Sequence, residues 1–416
     1  MDFSPHILQD RWNIAALEHD NPALAQELGR CKIGKKAGRS SVHFCGLAWA
    51  KHDSAFVFLP RKSLVDDEIE NIETARLTMR ALARYGQDMT DRIGVASGTE
   101  GDTGLLAIIT ELAKDFVQYG IFSERMRHSA RNSGKPLWAR TVVRETAFLG
   151  PDGTVVYPNI QTVRSKDSHD SLLARVQASV LLEIVRQHGW WLDGLAGREE
   201  ELAQYNPPSL PRTLWVRHLK LLLPELYAVR AISLATTLIS YLENNRERRD
   251  GEFHFGVEDF HFVWEYMLRQ VLIGVESGWN SRLPRPAYER RNGGFDVQDR
   301  GLQTDIVLRD DFGLRIVDAK YYEATTVANS PAIPDILKQF FYEIAVTSVA
   351  SGEEVGGCFV FPSLPHEAGT FTRILMRHRD GSAVATFPQV ECHYMSTSTV
   401  MRAFVEGRKL TLPVSL

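Results

Sequence analysis

One stretch constrains this chain more than any other: Thr304-Asp-Ile-Val-Leu-Arg-Asp-Asp-Phe-Gly-Leu-Arg-Ile-Val-Asp-Ala-Lys320. Two apolar runs, Ile306–Leu308 and Leu314–Val317, flank the polar segment Arg309–Gly313, which is the pattern of a β-hairpin. With the turn centred between Asp311 and Phe312, Asp305 stands opposite Asp318. Opposed residues have Cβ atoms about 4.5–5.5 Å apart, and like charges at that distance repel. A divalent cation bridging the carboxylates removes the conflict, because Mg²⁺ takes one or two carboxylates together with waters and phosphate oxygens. Lys320 lies two residues beyond Asp318 and projects from the same face of its strand. Two acids and a lysine around one cation suit phosphodiester hydrolysis. The cation activates water and neutralises phosphate, and the lysine stabilises charge that develops in the transition state.

The flanking helices offer further groups. Phe260–Leu272 has apolar residues at 260, 263, 264, 267, 268, 271 and 272, a helical period. Glu265 sits at the margin of that stripe, where it is a candidate to complete the metal shell or relay a proton; a surface carboxylate beside a buried stripe is the competing reading. Downstream, a proline-marked loop at Pro331–Pro334 runs into a second helix, with Asp335 as candidate N-cap. Gln339 and Tyr342, three apart, share a face there. Gln339 is a candidate to position water or backbone, and both residues could instead simply cover the site.

The order is helix with Glu, strand with Asp, strand with Asp-Ala-Lys, loop, then helix with Gln and Tyr. It resembles the PD-(D/E)xK nuclease superfamily. The wording is closer to the LlaJI family of restriction endonucleases, relatives of the McrC nuclease subunit. The resemblance rests on Val-Trp-Glu at 263–265, Thr-Asp-Ile-Val-Leu at 304–308 and Ile-Val-Asp-Ala-Lys-Tyr-Tyr at 316–322. Pro-Asp-Ile-Leu-Lys-Gln-Phe-Phe-Tyr-Glu at 334–343 and Phe-Val-Phe-Pro at 359–362 extend it. It is clear over about residues 255–365, and Gly134–Val143 also looks like a segment that precedes the nuclease domain in this family. Thr304 stands where the superfamily often has Pro, a position that shapes the start of the strand and binds no metal. The resemblance implies Asp305 and Asp318 as metal ligands with Glu265, Lys320 as the catalytic lysine, and Mg²⁺ as cofactor with Mn²⁺ able to substitute. It also implies double-stranded DNA as substrate, a bacterial restriction role and an McrB-like AAA+ GTPase partner. A homodimer is left open. A repair nuclease with the same core, or a non-catalytic docking subunit with a decayed nuclease fold, are the alternatives.

A separate partner would have to bring nucleotide chemistry. Gly29-Arg-Cys-Lys-Ile-Gly-Lys35 matches most of a P-loop, but Lys36 stands where a Ser or Thr hydroxyl should hold Mg²⁺. The formal charge of the 416-residue chain is −4, so nucleic acid must be met by local basic patches. Candidates are Arg30, Lys32, Lys35, Lys36 and Arg39; Arg125, Arg127, Arg131, Lys135 and Arg140; and Arg282, Arg285, Arg290 and Arg291. The middle group reads as a phosphate-contacting loop or a solvated one. Four scattered cysteines with no CxxC pair exclude a zinc ribbon and fit a reducing cytoplasm. The start of the chain has no signal-peptide pattern and no apolar run reads as a membrane span, so a cytoplasmic location is expected.

The expected fold is α/β, with a C-terminal PD-(D/E)xK core (a mixed sheet flanked by helices) behind a mixed α+β N-terminal region. The expected division is 1–165, mixed; 166–250, helical; and 251–416, nuclease. Trp138–Phe148 and Val155–Val163 read as strands.

Overall fold

The computed structural model describes residues 5–20, 41–49, 55–93, 103–244 and 253–413, with positions 22, 25 and 26. The P-loop-like segment and the first basic group, from Arg30 to Arg39, lie outside the described residues. The fold is mixed α/β and forms two compact units, Met1–Ala107 with Arg248–Leu416, and Ile108–Glu247.

The first unit opens with strands β1 (His6–Gln9), β2 (Cys45–Trp49) and β3 (Ala55–Leu59), then helix α1 (Glu68–Ile93). Every residue of β3, Ala-Phe-Val-Phe-Leu, is buried, as a strand covered on both faces requires. In α1, Ala75, Met79 and Leu82 recur at helical spacing and are fully buried.

Helix α2 (Thr103–Tyr119) runs across the boundary into the second unit. There follow β4 (Glu124–Arg131), β5 (Lys135–Pro136), α3 (Trp138–Arg144), β6 (Gln161–Ser168), and helices α4 (Leu172–His188), α5 (Arg212–Leu222) and α6 (Val229–Asn244). β4, β6 and β5 make a three-stranded sheet in the order β4-β6-β5. The helices pack through residues such as Val180, Leu181, Ile184 and Leu238, all fully buried. Arg230 ties α6 to α2 by two hydrogen bonds to Asp115, at 2.9 and 3.0 Å. Two expectations change here. Trp138–Arg144 is a helix that ends with Glu145 N–H donating to the Thr141 carbonyl, and Trp138, Val142 and Val143 are exposed on it. Residue 165 is no boundary, since it falls within β6, the return strand of the hairpin begun at Glu124.

The chain then re-enters the first unit with β7 (Phe253–Val257), α7 (Phe260–Val271), β8 (Val275–Glu276), β9 (Ile306–Asp310) and β10 (Gly313–Ala319). It continues through α8 (Ile333–Thr347), β11 (Val355–Ser363), β12 (Arg373–Ile374), β13 (Val390–Ser396) and α9 (Thr397–Glu406). β7 completes a four-stranded sheet, β1-β3-β2-β7. Gly46 and Gly256 face each other in it, and a Cβ on Gly46 would come within 2.1 Å of the Phe255 carbonyl oxygen, so the close approach requires glycine. The N-terminal segment therefore shares a unit with the C-terminal segment, and a division into three consecutive stretches does not describe the chain.

The central sheet has six strands, β8-β9-β10-β11-β13-β12. β10, β11 and β13 run parallel and the other pairs antiparallel, so the sheet is mixed. Helix α8 makes the crossover from β10 to β11, as a parallel pair demands. It covers Val307, Leu314 and Ile316 with Tyr342, Ala345 and Val346. The end of β10 is fastened to the N-terminal sheet: the Tyr321 hydroxyl accepts from Arg61 N at 2.8 Å and lies 3.8 Å from Cys45 Sγ. No helix among the described residues is long and apolar enough to cross a membrane.

Candidate active site

β9 and β10 pair through Ile306↔Val317 to Asp310↔Gly313, with Asp311 and Phe312 as the two-residue turn. Carrying that register one step outward sets Asp305 against Asp318, the arrangement expected from the sequence. Both point to the face that α8 covers, since Val307 and Ile316, two residues along each strand, pack against that helix. Asp318 is 3% exposed, and Asp305 Oδ2 accepts from Ala319 N at 3.2 Å. Burial, then the charge and hydrogen bond of Asp318, then Glu265, push the Asp305 carboxyl up to about 7. Asp305 therefore keeps a proton up to about neutral pH unless something more positive lies beside it.

Lys320 Nζ is 2.9 Å from Asp318 Oδ2 and 2.7 Å from Asp335 Oδ1. Burial alone would lower its pKa, but the two carboxylates outweigh that and raise it. Asp335 is not the N-cap, which is Ala332; it sits in the first turn of α8 and reaches back to the lysine.

Glu265 Oε1 is 2.6 Å from Arg269 Nη2, and Arg269 also donates to the Asp305 carbonyl at 2.7 Å. The carboxylate is thus ion-paired within α7 with a residue four positions on, and its charge still helps to raise Asp305. Among the described residues no group of three or more His, Cys, Asp or Glu is placed to hold one metal ion. Gln339 is fully buried, and its Nε2 donates to the carbonyls of Cys358 (3.0 Å) and Ile316 (3.5 Å), so that it positions backbone by clasping α8 to β11 and β10. Tyr342 donates to the Gln303 carbonyl, just before the acid-bearing strand.

Three contributors escaped the sequence reading. Lys338 lies 5.2 Å over the Tyr342 ring, and the charges of Asp318 and Asp305 raise its pKa against the lowering effect of burial. Its signal was the four-residue spacing to Tyr342. Arg269 could have been found by its spacing from Glu265. Asn280 clasps Thr304, accepting from its backbone N (2.9 Å) and hydroxyl (2.8 Å) and donating to its carbonyl (3.1 Å). Thr304 thereby holds the start of the strand by hydrogen bonds.

The two acids fit a divalent cation. Asp318 Oδ2 is buried and, although near Lys320, has no hydrogen bond of acceptable angle among the described residues. A buried carboxylate oxygen left so is costly, and a cation would satisfy it.

The basic candidates scatter. Arg125, Arg127 and Arg131 lie on strand β4, not on a loop; Lys135 is on β5 and Arg140 on α3, where it donates to Ser129 Oγ at 3.2 Å. Arg290 is paired with Asp296, and Arg282 stacks 4.2 Å over Trp279. Arg291 is exposed.

Comparison with known proteins gives three findings. A chain of the McrBC complex from Thermococcus gammatolerans, solved by cryo-EM, aligns over 64% of this chain and 86% of its own at 14% identity, with a TM-score of 0.29, too loose a match to argue from. The type II restriction enzyme BsuMI component YdjA of Bacillus subtilis (strain 168) is 26% identical over 144 residues, 32% of this chain. The match spans 31% of that relative's length. The sequence model of the LlaJI restriction endonuclease family matches residues 44–377, well beyond the 255–365 core expected from motifs. The chain therefore belongs to the LlaJI restriction endonuclease family.

Proposed function

We propose that this chain is the nuclease component of a bacterial restriction system and hydrolyses phosphodiester bonds of double-stranded DNA. The observation that carries the reading is the register that sets Asp305 against Asp318 with Lys320 on the same face. Family membership supports it. In this reading the six-stranded sheet with α7 and α8 is a PD-(D/E)xK core.

Asp305 and Asp318 would hold Mg²⁺, or Mn²⁺ in its place. When bound, the cation supplies an activated water and neutralises phosphate charge. Lys320 holds the second carboxylate in position and presents its ammonium to the charge that builds on the phosphate. Asp335 shares that ammonium and orients it. Lys338, facing the same acids, adds a second cation for the phosphate backbone. Gln339 and Arg269 hold the strands that carry the acids. Cutting both strands takes two such sites, which a second copy of the chain would supply. An McrB-like AAA+ GTPase partner would bring the nucleotide chemistry that the P-loop-like segment, with Lys36 at the hydroxyl position, is not built to perform.

A second reading is a decayed nuclease fold that serves as a docking subunit. The ion pairs of Lys320 with Asp318 and Asp335, which occupy the lysine structurally, favour it. Titration calorimetry with MnCl₂ separates the two. The nuclease reading expects one cation bound by wild type and lost in Asp318→Asn. The docking reading expects no binding by either protein.

A further inference from the structure

In the second unit, the end of the β4-β6-β5 sheet beyond the reach of β5 is a two-stranded ribbon whose composition no core explains. β4 and β6 pair antiparallel over eight positions, from Glu124↔Ser168 to Arg131↔Gln161. Directly paired residues share a face. One face holds Arg125, opposite Asp167, and Arg127, opposite Ser165. The other holds Met126, opposite Lys166, and His128, opposite Arg164. Residues 124–129 and 164–167 are all exposed, so this end of the ribbon meets solvent on both faces.

A sheet normally buries one face. This one has instead placed cations on both. Among the described residues, no carboxylate lies within ion-pair range of Arg125, Arg127, Arg164 or Lys166, although Asp167 sits across from Arg125. Residues 124–168 carry eight Lys and Arg against four Asp and Glu, in a chain whose formal charge is −4. The basic character is therefore local. Paired strands are about 4.8 Å apart. The major groove of duplex DNA is about 12 Å wide and admits a two-stranded ribbon, with phosphates along both walls.

We propose that the β4–β6 ribbon is a DNA-contacting element that enters the major groove, Arg125 and Arg127 meeting one phosphate wall and Arg164 and Lys166 the other. The identity of the polymer rests on the nuclease reading above; the ribbon's geometry and charge do not. Charge complementarity favours duplex DNA over a protein surface at this end of the ribbon.

The test is fluorescence anisotropy of a labelled duplex titrated with the full chain across a salt series. All proteins carry Asp318→Asn so that the duplex is not cut. Arg127→Glu with Lys166→Glu should weaken binding at least tenfold. It should also flatten the slope of log affinity against log salt by about 2, about one per lost phosphate contact. The melting temperature should not change, and Arg76→Glu, in the other unit, should leave affinity and slope alone. Unchanged affinity and slope in the double variant would overturn the proposal. So would a double variant that binds duplex normally but no longer associates with the GTPase partner, which would make the ribbon a protein-docking element. Cleavage is read separately on the wild-type background. An inactive protein that still shows the ribbon-dependent slope keeps this inference and sinks the nuclease reading. An active protein without that slope does the reverse.

Discussion

The acid-bearing hairpin of β9 and β10 and the basic ribbon of β4 and β6 are both antiparallel pairs, and they use charge in opposite ways. In the first, neighbours on both sides and α8 above leave Asp318 3% exposed. Two like charges opposed there need a proton, two lysines or a cation to coexist. In the second, water on both faces screens the cations, and Arg125, Arg127, Arg164 and Lys166 have no carboxylate partner among the described residues. Burial turns a pair of side chains into chemistry; exposure turns it into a surface.

Changes at the buried pair should therefore cost most. Lys320→Ala should lower DNA cleavage by about 10²–10⁴-fold, with the circular dichroism spectrum retained, and Lys320→Arg should recover part of it. A smaller effect than tenfold would mean that Lys320 is a structural partner of Asp318 and Asp335 only.

The next effect is on pH. The Asp305 carboxyl is held up at about 7, whereas an unfolded aspartic acid titrates near ~3.9. Between those values the folded chain keeps a proton that the unfolded chain has lost. Metal-free stability should therefore fall as pH climbs from about 4 to about 7, and cation affinity should rise over the same window and level off above it. Melting curves between pH 4 and 8, with and without Mg²⁺, read both effects. Asp305→Asn should flatten the metal-free curve and, at pH 8, melt higher than wild type. A wild-type curve that instead rises through this window would contradict the raised Asp305 carboxyl.

Gln339→Ala should act on stability, by about 1–3 kcal/mol in urea unfolding, because it strands the carbonyls of Ile316 and Cys358. If cleavage fell with stability unchanged, the glutamine would have a role at the acids after all. At the other end of the scale, Arg127→Glu should move stability by less than about 0.5 kcal/mol, as surface changes do. A larger loss would mean that the ribbon is packed against something.

Much of the hairpin was legible because strand register follows from two apolar runs and a turn, and a period of two fixes which side chains share a face. Position 304 also read correctly as a shaping residue. What could not be read was side-chain partnership across elements. Glu265 lay on the right helix, but whether it reached the acids depended on Arg269 one turn away. Gln339 lay on the right face, but its partners, the carbonyls of Ile316 and Cys358, could not be read from the helix alone. The N-terminal sheet was illegible as part of the same unit because the pairing of β2 with β7 joins residues two hundred apart in the chain, through a glycine contact with no local signature. The ribbon was misread as a loop because alternating Arg and polar residues with no buried face lack the apolar period on which strand recognition depends.

The most direct test of the central claim is cleavage of supercoiled plasmid in Mg²⁺ by wild type and Asp318→Asn, each with and without the GTPase partner and GTP. Nicked or linear product from wild type, absent with Asp318→Asn and absent in EDTA, is the predicted result. Equal cleavage by both proteins would contradict the assignment of the chemistry to this hairpin.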